Sequence, residues 1–291
     1  MSAKYMFFDI DGTLLHEGKY IPQSAIESIR SARKKGNKAF ICSGRSRAML
    51  PASVLDIGFD GIVCGGGSYI SVGDKIIKDH RLTIPQLKRI IKWFTDTKLE
   101  CFFEGDDYIY TLPLSKYENS ERLSLFLSIL YAPKTIYDPE HPENINAAKF
   151  SGQIPPKHWQ YVLDMADDIK DFMHLIIHNP PDEKLHETYM KEDHHEPPHE
   201  GDNSGDGFVE FLPLGESKAK GIIEVSRVLD FNLKDAYCFG DSENDREMME
   251  EIPNSICMGN GLPQIKEIAS FVTTDILDDG IKNALTHFSL C

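Results

Sequence analysis

The chain has 291 residues, 41% hydrophobic and 26% charged, a composition that fits a globular protein of one large or two ordinary domains. The formal net charge of −15 argues against nucleic acid or an anionic membrane surface as the main partner. No apolar run is long enough for a membrane-spanning helix, none of the six cysteines forms a CxxC pair, and the N-terminus lacks a signal-peptide pattern, so a reducing, cytoplasmic setting is expected.

Residues 4–9 read as a short buried strand that runs into Asp9 and Asp11. Residues 23–35 form an amphipathic pattern, with Ala25, Ile26, Ile29 and Ala32 on one face and Gly36 as a stop. Strands follow at Lys38 to Cys42 and Gly61 to Cys64, the latter ending in Gly65-Gly66-Gly67. This alternation implies right-handed crossovers and a parallel sheet. The stretch from about 82 to 212 differs. It holds a helix at 85–97, a hairpin from Cys101-Phe102-Phe103-Glu104 to Tyr108-Ile109-Tyr110-Thr111, strands at 147–150 and 172–177, and a helix at 155–168. Within it, residues 182–207 carry nine acids against two lysines, and four of the eleven histidines, with almost nothing apolar. That composition reads as a solvated, mobile loop; His194, His195 and His199 could bind Zn2+ or Ni2+ adventitiously, but they lack a helical ligand spacing. The α/β pattern resumes with a helix from Ser217 to Leu229, a strand at 236–239, a helix at 243–251, strands at 255–258 and 271–273, and a last helix from about 278. The expected organisation is an α/β core from 1–81 and 213–291, with an α+β insert over 82–212.

Four short pieces carry chemistry. The first is Phe7-Phe8-Asp9-Ile10-Asp11-Gly12-Thr13. Two carboxylates next to an apolar strand repel each other and resist burial, and a cation between them is the cheap solution. Alternation along a strand would point both the same way. One could attack phosphorus while the other handles a proton. Asp11-Gly12 alone would be an ordinary turn. The second is Ser43-Gly44-Arg45, where a hydroxyl and a glycine N–H at a strand end suit phosphate, or simply cap a helix. The third is Lys218, which opens a helix where the α/β pattern resumes; alone it would be a solvated lysine. The fourth is Gly240-Asp241-Ser242-Glu243-Asn244-Asp245, again a buried strand entering an acid cluster, of which helix capping explains one acid only. Asp9, Ser43 and Asp241 all fall at strand C-terminal ends, where open parallel sheets bind ligands. The cysteine at 42, next to Ser43, reads as a buried core residue ahead of a catalytic one.

In this order, DxDGT, SGR, Lys and GDxxND resemble the haloacid dehalogenase (HAD) superfamily, and the large insert resembles the C2B cap of its Cof-type members. The run Met258-Gly259-Asn260-Gly261 fits as well. The resemblance implies a Rossmann-like parallel-sheet core with an inserted α+β cap, and a phosphomonoester hydrolase working through an aspartyl-phosphate. It implies Asp9 as nucleophile and Asp11 as general acid and base. Ser43, Gly44, Lys218 and Asn244 would hold the phosphate. Mg2+ would be bound by Asp9, the Asp11 backbone carbonyl and Asp241, with Asp245 in support, and Arg45 would sit near the phosphate or the cap. The expected partner is a small phosphorylated metabolite, such as a sugar phosphate. A phosphotransferase or mutase of the same superfamily is the alternative, and a catalytically idle, partner-binding protein is a further one. One departure is Gly66-Gly67-Ser68, where such proteins often carry Asn-Gly-Ala.

Overall fold

The computed structural model describes residues 2–117, 123, 124, 127, 132–177 and 207–291. The acidic, histidine-rich stretch 182–206 lies outside the described residues, and Gly207 opens a strand. The chain divides into two compact units, one of residues 1–45, 50–79 and 216–291, the other of residues 46–49 and 80–215.

The first unit is built on β1 (Tyr5–Phe8), α1 (Gln23–Lys34), β2 (Lys38–Cys42), α2 (Ala52–Leu55), β3 (Gly61–Cys64), β4 (Tyr69–Val72) and β5 (Lys75–Asp79). The second contributes α3 (Ile84–Thr97), β6 (Cys101–Gly105), β7 (Ile109–Thr111), β8 (Lys134–Ile136), β9 (Ala147–Ile154), α4 (Trp159–Ile169), β10 (Met173–Ile177) and β11 (Gly207–Pro213). The first resumes with α5 (Lys218–Leu229), β12 (Ala236–Gly240), α6 (Arg246–Glu251), β13 (Asn254–Cys257), α7 (Pro263–Ile268), β14 (Phe271–Val272) and α8 (Gly280–His287).

The first unit's sheet has the order β14-β13-β12-β1-β2-β3-β4-β5. It is parallel from β14 to β3, and β4 and β5 extend it antiparallel. This hairpin is absent from the sequence expectation. Its outer strand β5 exposes Lys75, Ile76 and Asp79, so no continuous apolar run marks it. The central strand shows why parallel strands read so clearly. Met6 and Phe8 pack on one face with Ala25, Ile29, Ala32, Ile281 and Leu285, while Phe7 packs on the other with Phe40, Ala219, Ile222 and Val225. Both faces are covered, so every position of the strand core is apolar.

The second unit is a six-stranded sheet of order β10-β11-β9-β6-β7-β8, antiparallel except for the β7–β8 pair. Phe150 stacks on Phe211 and meets Phe94 of α3 edge-on, which buries one face of the sheet under helices. Alternation turns Lys149 and Ser151 to the opposite face, where Lys149 pairs with Glu210 and lies 3.5 Å from Glu104. Burial alone would lower the Lys149 ammonium, but the two glutamates hold it above its ordinary value. β9 therefore runs to Ile154, well past Phe150, because Ser151 and Gln153 serve the polar face and break the apolar pattern without ending the strand.

Candidate active site

β1 ends at Phe8, and the Asp9 N–H continues its ladder by donating to the Phe239 carbonyl at 2.9 Å. The chain then turns tightly. The N–H groups of Leu14 and Leu15 both donate to the Ile10 carbonyl, and Ile10, Leu14 and Leu15 are buried in the core. These anchors leave Asp11 outside. Strand alternation therefore does not place the two acids in one pocket. Asp9 is 3% exposed among other carboxylates, whereas the Asp11 side chain is 53% exposed and turned to Arg45. Arg45 Nε donates to Asp11 Oδ2 at 2.7 Å and Nη2 donates to Oδ1 at 2.8 Å, a bidentate fork. Neither the fork nor its partner is marked in the sequence, where Arg45 stands 34 positions from Asp11.

Lys218 sits at the other side of Asp9. Ser217 caps α5 by accepting the Lys220 N–H, so Lys218 is the first residue of the helix. Gly67 lets this helix start come close, since a Cβ built there would overlap the Ser217 carbonyl, and its φ of 91° suits glycine. The glycine run after β3 is thus a packing device for the lysine. Lys218 Nζ donates to Asp9 Oδ1 at 2.7 Å, to Asp245 Oδ1 at 2.7 Å and to Asn244 Oδ1 at 2.6 Å, with its side chain 2% exposed. Burial works to lower this ammonium, yet Asp245 and Asp9 hold it well above its ordinary value.

The acid cluster after β12 completes the group. Asp9, Asp241 and Asp245 each offer one oxygen, all within 4.8 Å of one another. Burial drives the Asp9 carboxyl well above the usual range; Lys218 opposes the rise, and Asp245 and Asp11 add to it. Asp241 is raised for the same first reason, with Asp245 and Asp9 reinforcing it. The Thr13 hydroxyl donates to Asp241 Oδ1 at 2.9 Å. Asp245 differs from the other two. Its Oδ1 is held by Lys218, and its Oδ2 accepts the N–H groups of Asp241 at 2.8 Å and Ser242 at 3.1 Å. It braces the loop and the lysine while standing beside the other two acids. It lies in a single 3-10 turn (Glu243–Asp245) ahead of α6, where the sequence pattern gives one continuous helix.

Ser43 is buried, and its Oγ accepts the Arg45 N–H at 3.2 Å, the capping role a hydroxyl would play with or without a ligand. Gly44 faces Asn244, whose Nδ2 lies 3.8 Å from the position a Gly44 Cβ would take. Of the residues expected in the site, the structure joins Asp9, Lys218, Asp241, Asn244 and Asp245 by direct contacts, brings Gly44 beside Asn244, and links Asp11 to Arg45. The Cys42 thiol is fully buried and donates to the Lys218 carbonyl, and burial pushes it far above its ordinary value, as suits a core residue.

Acids at the C-terminal ends of adjacent parallel strands, around one buried lysine, define a phosphate-processing α/β hydrolase with an inserted α+β domain. The chain belongs to the haloacid dehalogenase-like hydrolases, whose family profile matches residues 6–285, and it is a phosphatase of that superfamily. It is 27% identical over its whole length to YkrA of Bacillus subtilis (strain 168), a provisionally named phosphatase, covering 99% of that protein. It is 25% identical over 96% of its length to the 5-amino-6-(5-phospho-D-ribitylamino)uracil phosphatase YwtE of the same organism, covering 95% of it. Its fold matches the solved HAD subclass IIB sugar phosphatase BT4131 with a TM-score of 0.74, at 24% identity over 99% of this chain and 100% of that one. Among the described residues no helix is long and apolar enough to cross a membrane.

Proposed function

We propose that the protein is an Mg2+-dependent phosphomonoester hydrolase that acts on a small phosphorylated metabolite through an aspartyl-phosphate on Asp9. One observation carries this reading: the carboxylates of Asp9 and Asp245, both buried, and of half-buried Asp241 gather within 4.8 Å of one another, with a single buried ammonium, Lys218, paired to Asp9 and Asp245. That leaves an excess of negative charge out of water, which a divalent cation would neutralise. The donors are all oxygens, and a hard cation such as Mg2+ fits them. Asp9 and Asp241, with the Asp11 backbone carbonyl, would hold the ion, and Asp245 would support them. When bound, it offsets the charge of the carboxylates and of the transferring phosphoryl group.

Asp9 keeps Oδ1 on Lys218, and its other oxygen attacks phosphorus. Lys218, on exchanging its bond to Asn244 Oδ1, the Asn244 Nδ2 and the Ser43-Gly44 turn hold the phosphoryl oxygens. Asp11 gives its proton to the leaving-group oxygen, then takes one from the water that cleaves the aspartyl-phosphate. Both Asp11 oxygens accept from Arg45, an arrangement of the ionised carboxylate, so one of those bonds must open for Asp11 to take up, from solvent, the proton that it delivers. An arriving phosphate ester offers Arg45 another anionic partner.

A sugar phosphate is one substrate that fits this reading, and the relatives include phosphatases named for other small phosphorylated compounds, such as an HMP-PP phosphatase of Klebsiella pneumoniae (strain 342) that is 23% identical over 98% of this chain and 94% of its own length. The test is a panel of phosphomonoesters ranked by kcat/KM with Mg2+ and with EDTA, alongside acid quench for a hydroxylamine-sensitive phosphoprotein. Hydrolysis that survives EDTA, or a phosphoprotein still formed by Asp9→Asn, would refute the reading. An added alcohol that captures the phosphoryl group in place of water would make the enzyme a phosphotransferase.

A further inference from the structure

The turn between β13 and α7, residues 258–262, touches both acid-bearing strand ends of the first unit. The Leu262 N–H donates to the Asp241 carbonyl at 2.8 Å, and the Gly259 N–H donates to the Thr274 carbonyl at 3.0 Å. Asn260, at the apex, is exposed, yet both ends of its amide are used. Its Oδ1 accepts the Ile276 N–H at 2.9 Å, and its Nδ2 donates to the Gly12 carbonyl at 2.7 Å. The amide orientation follows from chemistry: the Ile276 N–H needs an acceptor and the Gly12 carbonyl needs a donor.

Gly12 is the residue after Asp11. Its φ of 78° is a glycine conformation, and a Cβ there would overlap the Asp241 carboxylate. The Gly12 N–H donates to the Leu15 carbonyl at 3.0 Å, and the next residue, Thr13, holds Asp241 through its hydroxyl. A glycine peptide plane has more rotational freedom than any other; this one is held at the Thr13 N–H, which donates to the Ile10 carbonyl at 3.3 Å, and at its oxygen by the shorter Asn260 bond. The Asp11 side chain, half exposed, is held at its carboxylate by the Arg45 fork, so its place is set jointly by that fork and by the backbone on which it stands.

We propose that Asn260 is a positioning residue for the proton-transfer step: by holding the Gly12 peptide it sets where the Asp11 carboxyl stands relative to the departing oxygen. The inference rests on the reading of Asp11 as the proton carrier. Asn260 itself touches no reacting atom. Small displacements of a proton donor are costly, so one surface hydrogen bond can matter more to rate than to stability.

The experiment compares two leaving groups at saturating Mg2+: an alkyl phosphate, whose alkoxide must be protonated, and 4-nitrophenyl phosphate, whose phenolate leaves unaided. Asn260→Ala should slow phosphoprotein formation, read by acid quench in a single turnover, about tenfold with the alkyl ester and less than about threefold with the aryl ester, while steady-state kcat, which includes the water step that Asp11 assists, falls for both with KM nearly unchanged. Asn260→Asp keeps an acceptor for Ile276 but sets an oxygen against the Gly12 carbonyl. It should show the same selective loss, with a Tm close to that of the wild type. An equal loss in the rate of phosphoprotein formation from both esters, or none from either, overturns the role of Asn260 and leaves the phosphatase reading intact. A wild-type enzyme that hydrolyses neither ester with Mg2+ overturns both.

Discussion

Replacing Asp9 by Asn should make the protein more stable while abolishing its activity. Asp9 shares a buried space with Asp241 and Asp245, ligand oxygens within 4.8 Å. At an effective dielectric of about 20, each such pair repels by roughly 3 kcal/mol or more. Lys218, 2.7 Å away, returns about 6 kcal/mol on the same scale and so nearly cancels the two repulsions. What remains is the desolvation of the carboxylate, several kcal/mol for a buried ion. Asn keeps an Oδ1 acceptor for Lys218 and removes the charge, and Lys218 retains Asp245 and Asn244. The net gain should be about 2 kcal/mol in EDTA near neutral pH, or roughly 4–8 °C in Tm. The folded-state carboxyl of Asp9 lies above its unfolded value, so its penalty is absent in acid and grows as pH rises towards the folded pKa. The stability gap between variant and wild type should therefore close as pH falls to about 4. Mg2+ should stabilise the wild type more than the variant, by about 2.7 kcal/mol at a hundredfold excess over Kd if the variant does not bind. Urea unfolding with and without Mg2+ reads all three effects. An Asp9→Asn variant less stable than wild type in EDTA would refute the argument from buried charge.

Three further predictions follow from other contacts. Asp11→Asn should leave phosphoprotein formation from an aryl phosphate in place while slowing turnover by about 10²–10⁴-fold, because the water step loses its base; quench-flow that finds both steps equally slowed would contradict this. Lys218→Met removes the ammonium paired to the two buried carboxylates Asp9 and Asp245, and should cost about 3–5 kcal/mol in EDTA, partly recovered with Mg2+, and on the order of 10² or more in kcat/KM. Asp60 accepts from Arg33 Nε at 2.8 Å, the Ala39 N–H at 3.0 Å and Lys38 Nζ at 3.1 Å, and these contacts overcome burial to hold its carboxyl below the ordinary value. Its contribution, about 1 kcal/mol after solvent screening, is full above about pH 4 and is lost as pH falls through the folded pKa, so the gap between wild type and Asp60→Ala should shrink in acid; a pH-independent gap would contradict it.

The parts of the fold legible in the sequence are those where one physical rule dominates. A parallel strand covered on both faces must be apolar throughout, so Tyr5 to Phe8 and Ala236 to Phe239 stand out, and the acids that end them stand out more. Lys38–Cys42 and Gly61–Cys64 are strands with the expected limits for the same reason. Strands with one polar or exposed face are harder to read. β5 carries exposed Lys75 and Ile76, and the second half of β9 alternates Ser151 and Gln153 with Gly152 and Ile154. Within the site, residue type and strand-end position single out Asp9 and Asp241, and the start of a helix singles out Lys218, three residues that the structure brings together. The Arg45 fork on Asp11 and the Asn260 bond to Gly12 depend on where loops far apart in sequence converge, and no local pattern encodes that.

In the proposed reaction, two aspartates of identical chemistry, two positions apart, take different work from their surroundings. Asp9 follows directly from the sheet and is held where water is excluded, against Lys218 and two other acids. Such a carboxylate cannot exchange protons freely, but it is fixed, oriented and, once its charge is balanced, nucleophilic. Asp11 lies past the buried Ile10, in solvent reach, on a backbone braced by Gly12, Thr13 and Asn260. A group that must take up a proton in one step and release it in the next needs that exposure. The division of labour comes from the single turn that starts after Asp9, where Ile10, Leu14 and Leu15 bury themselves and leave Asp11 no place inside. A substitution that frees this turn should therefore impair proton transfer before it impairs phosphate binding, which is the pattern the two leaving groups discriminate.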